Sequence, residues 1–151
     1  MKKIIMLMMM IAVTHTATSQ NSIKKYELGE KYKENDHVNT TVFGREALVG
    51  PLLLDDGRAH TIVALFEDDE KSDMLYIYDK IESVFEVSLK KVDLVNNEYN
   101  VDRYRYEAVK NGILYILYVE ENTTFDEFRF SMGIVDVELK KIHDEEINND
   151  I

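Results

Sequence analysis

The sequence predicts an α+β fold, a mainly antiparallel β-sheet with one principal amphipathic helix packed on one face. Two turn sequences, Asp55-Asp56-Gly57-Arg58 and Lys110-Asn111-Gly112, lie between strand-like runs and are typical of β-hairpins. Between them, residues 72–88 change to an apolar spacing of three and four, which indicates a helix. Strand, helix and strand do not alternate along the sequence, which argues against a parallel sheet; a small β-barrel is the alternative architecture.

The first half of the chain contains three predicted strands. Val38 to Phe43 is rich in β-branched residues and is ended by Gly44. Ala47 to Leu54 and Ala59 to Phe66 are apolar and flank the first turn sequence. Because Pro51 has no N–H for a strand ladder, we expect its strand to lie at an edge of the sheet or to be bulged.

The helix is predicted to begin at Ser72, whose side chain can cap the N-terminus. Asp73 lies in the first turn, where the helix dipole favours an acid, and Lys90 and Lys91 suit the opposite end. The segment Phe85 to Leu89 is equally compatible with a strand. The stripe on one side of this helix consists of Met74, Ile77, Tyr78, Ile81, Val84, Phe85 and Ser88.

The last third of the chain returns to the two-residue alternation of strands. Tyr99 to Val109 places Tyr104 and Tyr106 on one face and two arginines on the other. Ile113 to Val119 is apolar on both faces, which predicts a strand in the interior of the sheet. Phe125 to Val137 alternates again, and its expected inward side chains are Phe128, Phe130, Met132 and Ile134.

The N-terminal residues have the three zones of a cleavable signal peptide. Two lysines precede an unbroken apolar run from Ile4 to Val13, and a short polar stretch suited to signal peptidase follows. This run is too short to span a bilayer, which requires about 20 apolar residues. We therefore expect residues 1–19 to be removed, residues 20–142 to form one globular domain, and residues 143–151 to be an acidic, frayed tail.

The composition restricts the partners that this chain can bind. It has 18 basic and 29 acidic residues, a net charge of −11, and loss of the two lysines in residues 1–19 would leave −13. Such a charge opposes binding to nucleic acid and anionic lipid and favours a basic protein or a cation, although solubility alone is the preferred interpretation of the charge. The absence of cysteine excludes disulfides and thiolate chemistry. We expect no cofactor, no stable membrane anchor in the mature chain, and a periplasmic or extracellular location.

Catalytic and metal-binding motifs are scarce. The mature chain has three histidines, His37, His60 and His143, and none shows the helical spacing of a zinc site, so we interpret them as isolated. The sequence contains no Gly-x-Ser-x-Gly or Ser-x-x-Lys motif and no phosphate-binding glycine loop.

One acidic segment partly matches a calcium-binding loop. Asp68, Glu70 and Ser72 alternate like the first three ligands, and Asp79 occupies the twelfth position. However, Asp73 stands where the loop requires glycine, and a glutamate is usual at the twelfth position. An acidic turn at the start of a helix is the preferred interpretation.

Tyrosines in the second half of the chain are the remaining candidates for a binding surface, because tyrosine offers a large rigid face with a polar tip. The candidates are Tyr104, Tyr106, Tyr115 and Tyr118, although strand alternation favours core packing for the aromatic face. We expect an exported, non-enzymatic binding module for a protein or polymer, of which an inhibitor is a special case. It would act through a sheet face or the exposed edge near Pro51. The alternative is a small periplasmic or secreted hydrolase whose Asp, Glu and His side chains are brought together only by folding.

Overall fold

The computed structural model describes residues 21–94 and 101–149, and the expected signal peptide lies outside these residues. These residues contain two helices, α1 (Lys71–Phe85) and α2 (Val137–Asn149). Two short strands, β1 (Ser22–Ile23) and β2 (Tyr26–Glu27), pair with each other. The main sheet contains β3 (Val38–Val42), β4 (Arg45–Leu53), β5 (Ala59–Phe66), β6 (Lys90–Asp93), β7 (Val101–Lys110), β8 (Ile113–Asn122) and β9 (Glu127–Asp136).

All neighbours in the main sheet are antiparallel, and their order is β3-β4-β5-β9-β8-β7-β6. Within the described residues the sheet stays open, with β3 and β6 at its two edges. The predicted α+β fold is confirmed and the barrel alternative is wrong. β8 lies inside the sheet between β7 and β9, as its apolar character on both faces predicts.

Both predicted hairpins are present. Gly57 has a φ of 86° in the turn between β4 and β5, and Asn111 and Gly112 join β7 to β8 with φ values of 53° and 77°. A third hairpin joins β3 to β4 through Phe43 and Gly44, with φ values of 52° and 78°. Positive φ at both central residues is the geometry that matches the twist of adjoining strands, and asparagine and glycine tolerate it.

Helix α1 covers one face of the sheet, as predicted. Its side chains Met74, Ile77, Ile81 and Phe85 are buried. They belong to one core cluster with the inward side chains of the sheet. Those of β8 and β9 are Tyr115, Leu117, Val119, Phe128, Phe130, Met132 and Ile134.

The N-terminus of α1 differs slightly from the prediction. The helix begins at Lys71, and its N-cap residue Glu70 makes no capping hydrogen bond with its side chain. The Ser72 hydroxyl, expected to cap the helix, instead donates a hydrogen bond to Glu70 Oε2 at 3.3 Å. Asp73 lies in the first turn as predicted, and its Oδ1 is 3.0 Å from Arg45 Nη2. This ion pair ties the helix start to the beginning of β4.

Helix α1 ends before the two lysines that were expected to lie at its C-terminus. The helix stops at Phe85 because Glu86 adopts a left-handed conformation with a φ of 53°. Lys90 and Lys91, expected at this helix end, belong to strand β6. The cation that meets the helix end is Lys110 of β7, whose Nζ donates to the Phe85 carbonyl at 3.0 Å. A distant strand thus supplies the charge that the dipole favours.

Pro51 lies in an interior strand, at a point where that strand has lost one neighbour. The pairing of β3 with β4 ends at Val38 and Val49, whereas Pro51 still pairs with Ile62 of β5. The register between β4 and β5 then shifts after Leu52. The expectation that this strand lies at an edge is therefore wrong for β4 as a whole, whereas the alternative that it is bulged is confirmed, and Pro51 occupies a local edge beside the bulge.

Helix α2 occupies residues that the sequence pattern assigned to a strand end and a tail. The Asp136 carboxylate accepts hydrogen bonds from the main-chain N–H groups of Glu138 and Leu139, both at 3.0 Å. This is an N-cap, and an acid there with another acid in the first turn is a helix-start signal that the sequence contains. None of residues 137–149 is buried, so the apolar stripe that would reveal the helix is missing. Neither helix within the described residues is long and apolar enough to cross a bilayer.

We expect Asp136→Ala to destabilise α2 by about 1 kcal/mol, because two N–H groups of its first turn lose their acceptor. Hydrogen exchange should become faster for the α2 amides and remain unchanged for β8, since no α2 side chain belongs to the core. Asp136→Ser keeps a capping oxygen and should behave like the parent protein. Unchanged α2 exchange in the alanine variant would contradict this role.

Candidate functional site

A groove of about 730 Å³ lies where β4 loses its neighbour. Four parts of the chain line it: the loop between β2 and β3, the end of β4 with its turn, the start of β5, and helix α2. We call it the edge groove and define it by Tyr32, Glu34, residues 51–55, His60 and His143. It lies at the edge near Pro51, through which the chain is expected to bind a partner.

A β-bulge sets the direction of His60. Leu52 pairs with Thr61 and Leu53 with Ala59, so the register skips His60. Consecutive side chains of a regular strand point to opposite faces, but an extra residue re-aims one of them. His60 Nδ1 and the Thr61 hydroxyl oxygen consequently lie 2.8 Å apart, with both residues buried.

His143 of α2 stacks on His60, with ring centroids 4.4 Å apart and an angle of 21° between the planes. The interpretation of these two histidines as isolated is therefore wrong, because α2 folds back over the start of β5. His37 does not join them; its Nδ1 donates to the Asn35 carbonyl at 2.7 Å.

The electrostatic environment keeps His60 neutral. Burial, together with the smaller effects of the nearby His143 and Lys140, lowers the pKa of His60 from 6.5 to about 4, and Asp144 opposes them. Lys140 and Asp144 also form an ion pair with each other on α2. Because the partner of His60 Nδ1 is the Thr61 hydroxyl and not a carboxylate, the pair lacks the acid–histidine relay that activates a nucleophile.

The carboxylates lining the edge groove are those of Glu34 and Asp55, and both residues are exposed. A third acid, Glu146 of α2, accepts a hydrogen bond from the Asp55 main-chain N–H at 3.4 Å. Pro51 and Leu52 add apolar surface, with Leu52 51% exposed. The groove therefore offers acidic groups beside apolar surface, an arrangement that suits a positively charged group on an apolar stem.

The four candidate tyrosines do not form one surface. Tyr115 is fully buried, and its ring centroid lies 4.7 Å from that of Phe85 in α1. Tyr104 is buried on the same sheet face, where burial raises its pKa to about 12, and Tyr106 is packed against the core. Tyr118 points to the opposite face, since it lies between the buried Leu117 and Val119 of β8. This placement agrees with core packing for three of the four.

The four calcium candidates are not gathered into a loop. Ser72 and Asp79 both lie within α1, and Glu70 is its N-cap residue. Asp68 Oδ2 is 3.8 Å from Arg45 Nε. Across the described ranges, no three His, Cys, Asp or Glu side chains are grouped so that they could hold a metal ion.

Sequence reasoning located the edge through Pro51 but missed the groove residues themselves. The Asp-Gly turn marks Asp55, whereas no local signal links His60 to His143 or places Glu34 beside them. Comparison of the chain with protein-family models, curated proteins and solved structures found no match.

Proposed function

We propose that this chain is an exported, non-enzymatic binding module that holds a protein partner in the edge groove. The observation that carries the proposal is the groove itself, a concavity at the local edge of β4 with acidic and apolar lining. Binding sites are typically concave, with apolar surface and a few polar groups that orient the ligand. Export rests on the signal-peptide pattern of residues 1–19.

Net charge supports a basic partner. A chain of net charge −11 attracts a positively charged protein over several ångströms and repels an acidic one. Complementary charge mainly accelerates association, so the association rate should fall as salt is added. An inhibitor of a basic secreted enzyme is a special case of this function.

Photo-cross-linking tests the proposal at two positions on one sheet face. Leu52 lies in the groove, and Val109 lies at the other end of the same cross-sheet row, reached through Thr61, Val135 and Leu114. Leu52 is 51% and Val109 66% exposed, so the two are matched in access to solvent. With a photoreactive residue at either position in its native host, we expect a discrete protein adduct from position 52 and none from 109. Equal adducts at both positions, or none at either, would contradict the proposal.

A hydrolase is the second candidate, because His60, His143, Glu34 and Asp55 line one groove. A broad hydrolase substrate screen separates the two functions. We expect no turnover by the mature chain. Turnover that disappears in His60→Ala and His143→Ala but survives in His37→Ala would instead establish the enzyme, since His37 lies outside the groove.

A further inference from the structure

We propose that the edge groove receives a lysine or arginine side chain of a basic protein, with its charged end beside Glu34 and Asp55 and its stem on Leu52. This inference rests on the proposed function and adds the chemistry of the occupant.

The charges of the edge groove favour a cationic occupant. Glu34 and Asp55 line the groove, and both are exposed. Arg58 and Lys140 pair with Asp56 and Asp144, and within the described residues neither groove carboxylate forms an ion pair of its own. A carboxylate or phosphate ligand would be repelled, whereas an ammonium or guanidinium group would gain charge-assisted hydrogen bonds.

The main chain at the local edge of β4 favours a side chain as the occupant over an added β-strand. In a two-residue hairpin the two residues that flank the turn, here Val42 and Arg45, exchange main-chain hydrogen bonds. In an antiparallel ladder every second residue pair does the same, so residues 45, 47 and 49 of β4 direct their N–H and C=O groups toward β3. Pro51 is the next β4 residue whose main chain faces this side, but β3 has already ended at Val38, so no strand of the described residues pairs with it there. Proline has no N–H, so an added β-strand could not form a regular ladder here. The edge can accept hydrogen bonds from a cationic side chain but is poorly suited to strand addition.

The edge groove also has apolar surface that suits the stem of a cationic side chain. Lysine and arginine lay their aliphatic stems along apolar surface while their charged ends stay in polar surroundings. Leu52 is exposed in the groove and provides such a surface. Tyr32 also lines the groove, and an aromatic face attracts a guanidinium group. The groove thus suits both the aliphatic stem and the charged end of a lysine or arginine side chain.

The test uses the full mature chain and two synthetic octapeptides that differ only in carrying three lysines or three glutamates. Glu34→Gln/Asp55→Asn removes the two groove charges. Glu67→Gln/Asp69→Asn is the matched control, because it removes two exposed charges between β5 and α1, outside the groove. In a fluorescence-anisotropy titration we expect the lysine peptide to bind the parent and the control alike, and the groove variant about tenfold more weakly. The glutamate peptide should not bind.

Equal weakening in both double variants would show that net charge alone attracts the peptide, and this would overturn the inference. Equal binding of the two peptides would overturn it as well. A cross-link from position 52 without any binding of the lysine peptide would reject this occupant and leave the proposed function standing. Sedimentation of the parent as a dimer that the groove variant cannot form would identify a second copy as the occupant and also reject the inference.

Discussion

Tyr115→Ala is expected to lower the free energy of unfolding by about 3 to 5 kcal/mol, the range for deletion of a large aromatic side chain from a core. Tyr115 is fully buried beneath α1, and its ring contacts that of Phe85. Its removal leaves a cavity between the helix and the sheet, which neither element can fill without shifting. Urea unfolding at neutral pH, monitored by far-ultraviolet circular dichroism, measures the loss.

Tyr118→Ala is the matched control, because it deletes the same side chain from the same strand on the opposite, partly exposed face. We expect a loss of no more than about 1 kcal/mol, as for most substitutions away from a core. Equal losses in the two variants would contradict the assignment of Tyr115 to the core. Because Tyr115→Ala is expected to be partly unfolded, a loss of partner binding in this variant must be corrected for the unfolded fraction before Tyr115 is interpreted as a binding residue.

The second large effect is a loss of stability in acid caused by His60. Its pKa is about 4 in the folded protein, against 6.5 for an unperturbed histidine. As the pH falls, the unfolded chain therefore binds this proton first, and the equilibrium shifts toward unfolding. The neutral His60 side chain therefore contributes about 3 kcal/mol to the free energy of unfolding. This contribution is fully present above pH 6.5 and disappears between about pH 6.5 and 4.

His60→Gln isolates this contribution from that of the carboxylates, which also titrate in acid. As the pH falls from 7 to 4, the free energy of unfolding should decrease more for the parent protein than for this variant. Nuclear magnetic resonance of the His60 ring measures the pKa directly, and a value near 6.5 would refute the burial argument. In His143→Gln the pKa of His60 should rise toward its ordinary value, because the neighbouring imidazole is one of the groups that lower it.

Side-chain alternation and turn residues predicted much of the fold, because both act between residues that are close in the sequence. The inward direction of Phe130 and Ile134 follows from strand alternation, and the turn at Gly112 follows from the backbone freedom of that residue. Helix ends were less predictable. Lys110 meets the C-terminus of α1 although it lies in a strand, so the charge that Lys90 and Lys91 were expected to supply comes from elsewhere in the chain.

Helix α2 and the histidine pair mark the limit of local reasoning. None of the α2 residues is buried, so no apolar periodicity announces the helix, and only the cap at Asp136 does so. His60 and His143 are far apart in sequence, and their stacking depends on how α2 returns to the sheet. A histidine pattern alone could not reveal that juxtaposition.

The sequence by itself determined the hairpins, the buried face of the sheet and the principal helix, because turn chemistry and side-chain periodicity act between neighbouring residues. Only the tertiary structure decided that β4 loses its partner before Pro51 and that His60 meets His143. Both features arise from contacts between distant segments, since they depend on where one strand ends and where a helix returns. The edge groove exists because of these two long-range arrangements.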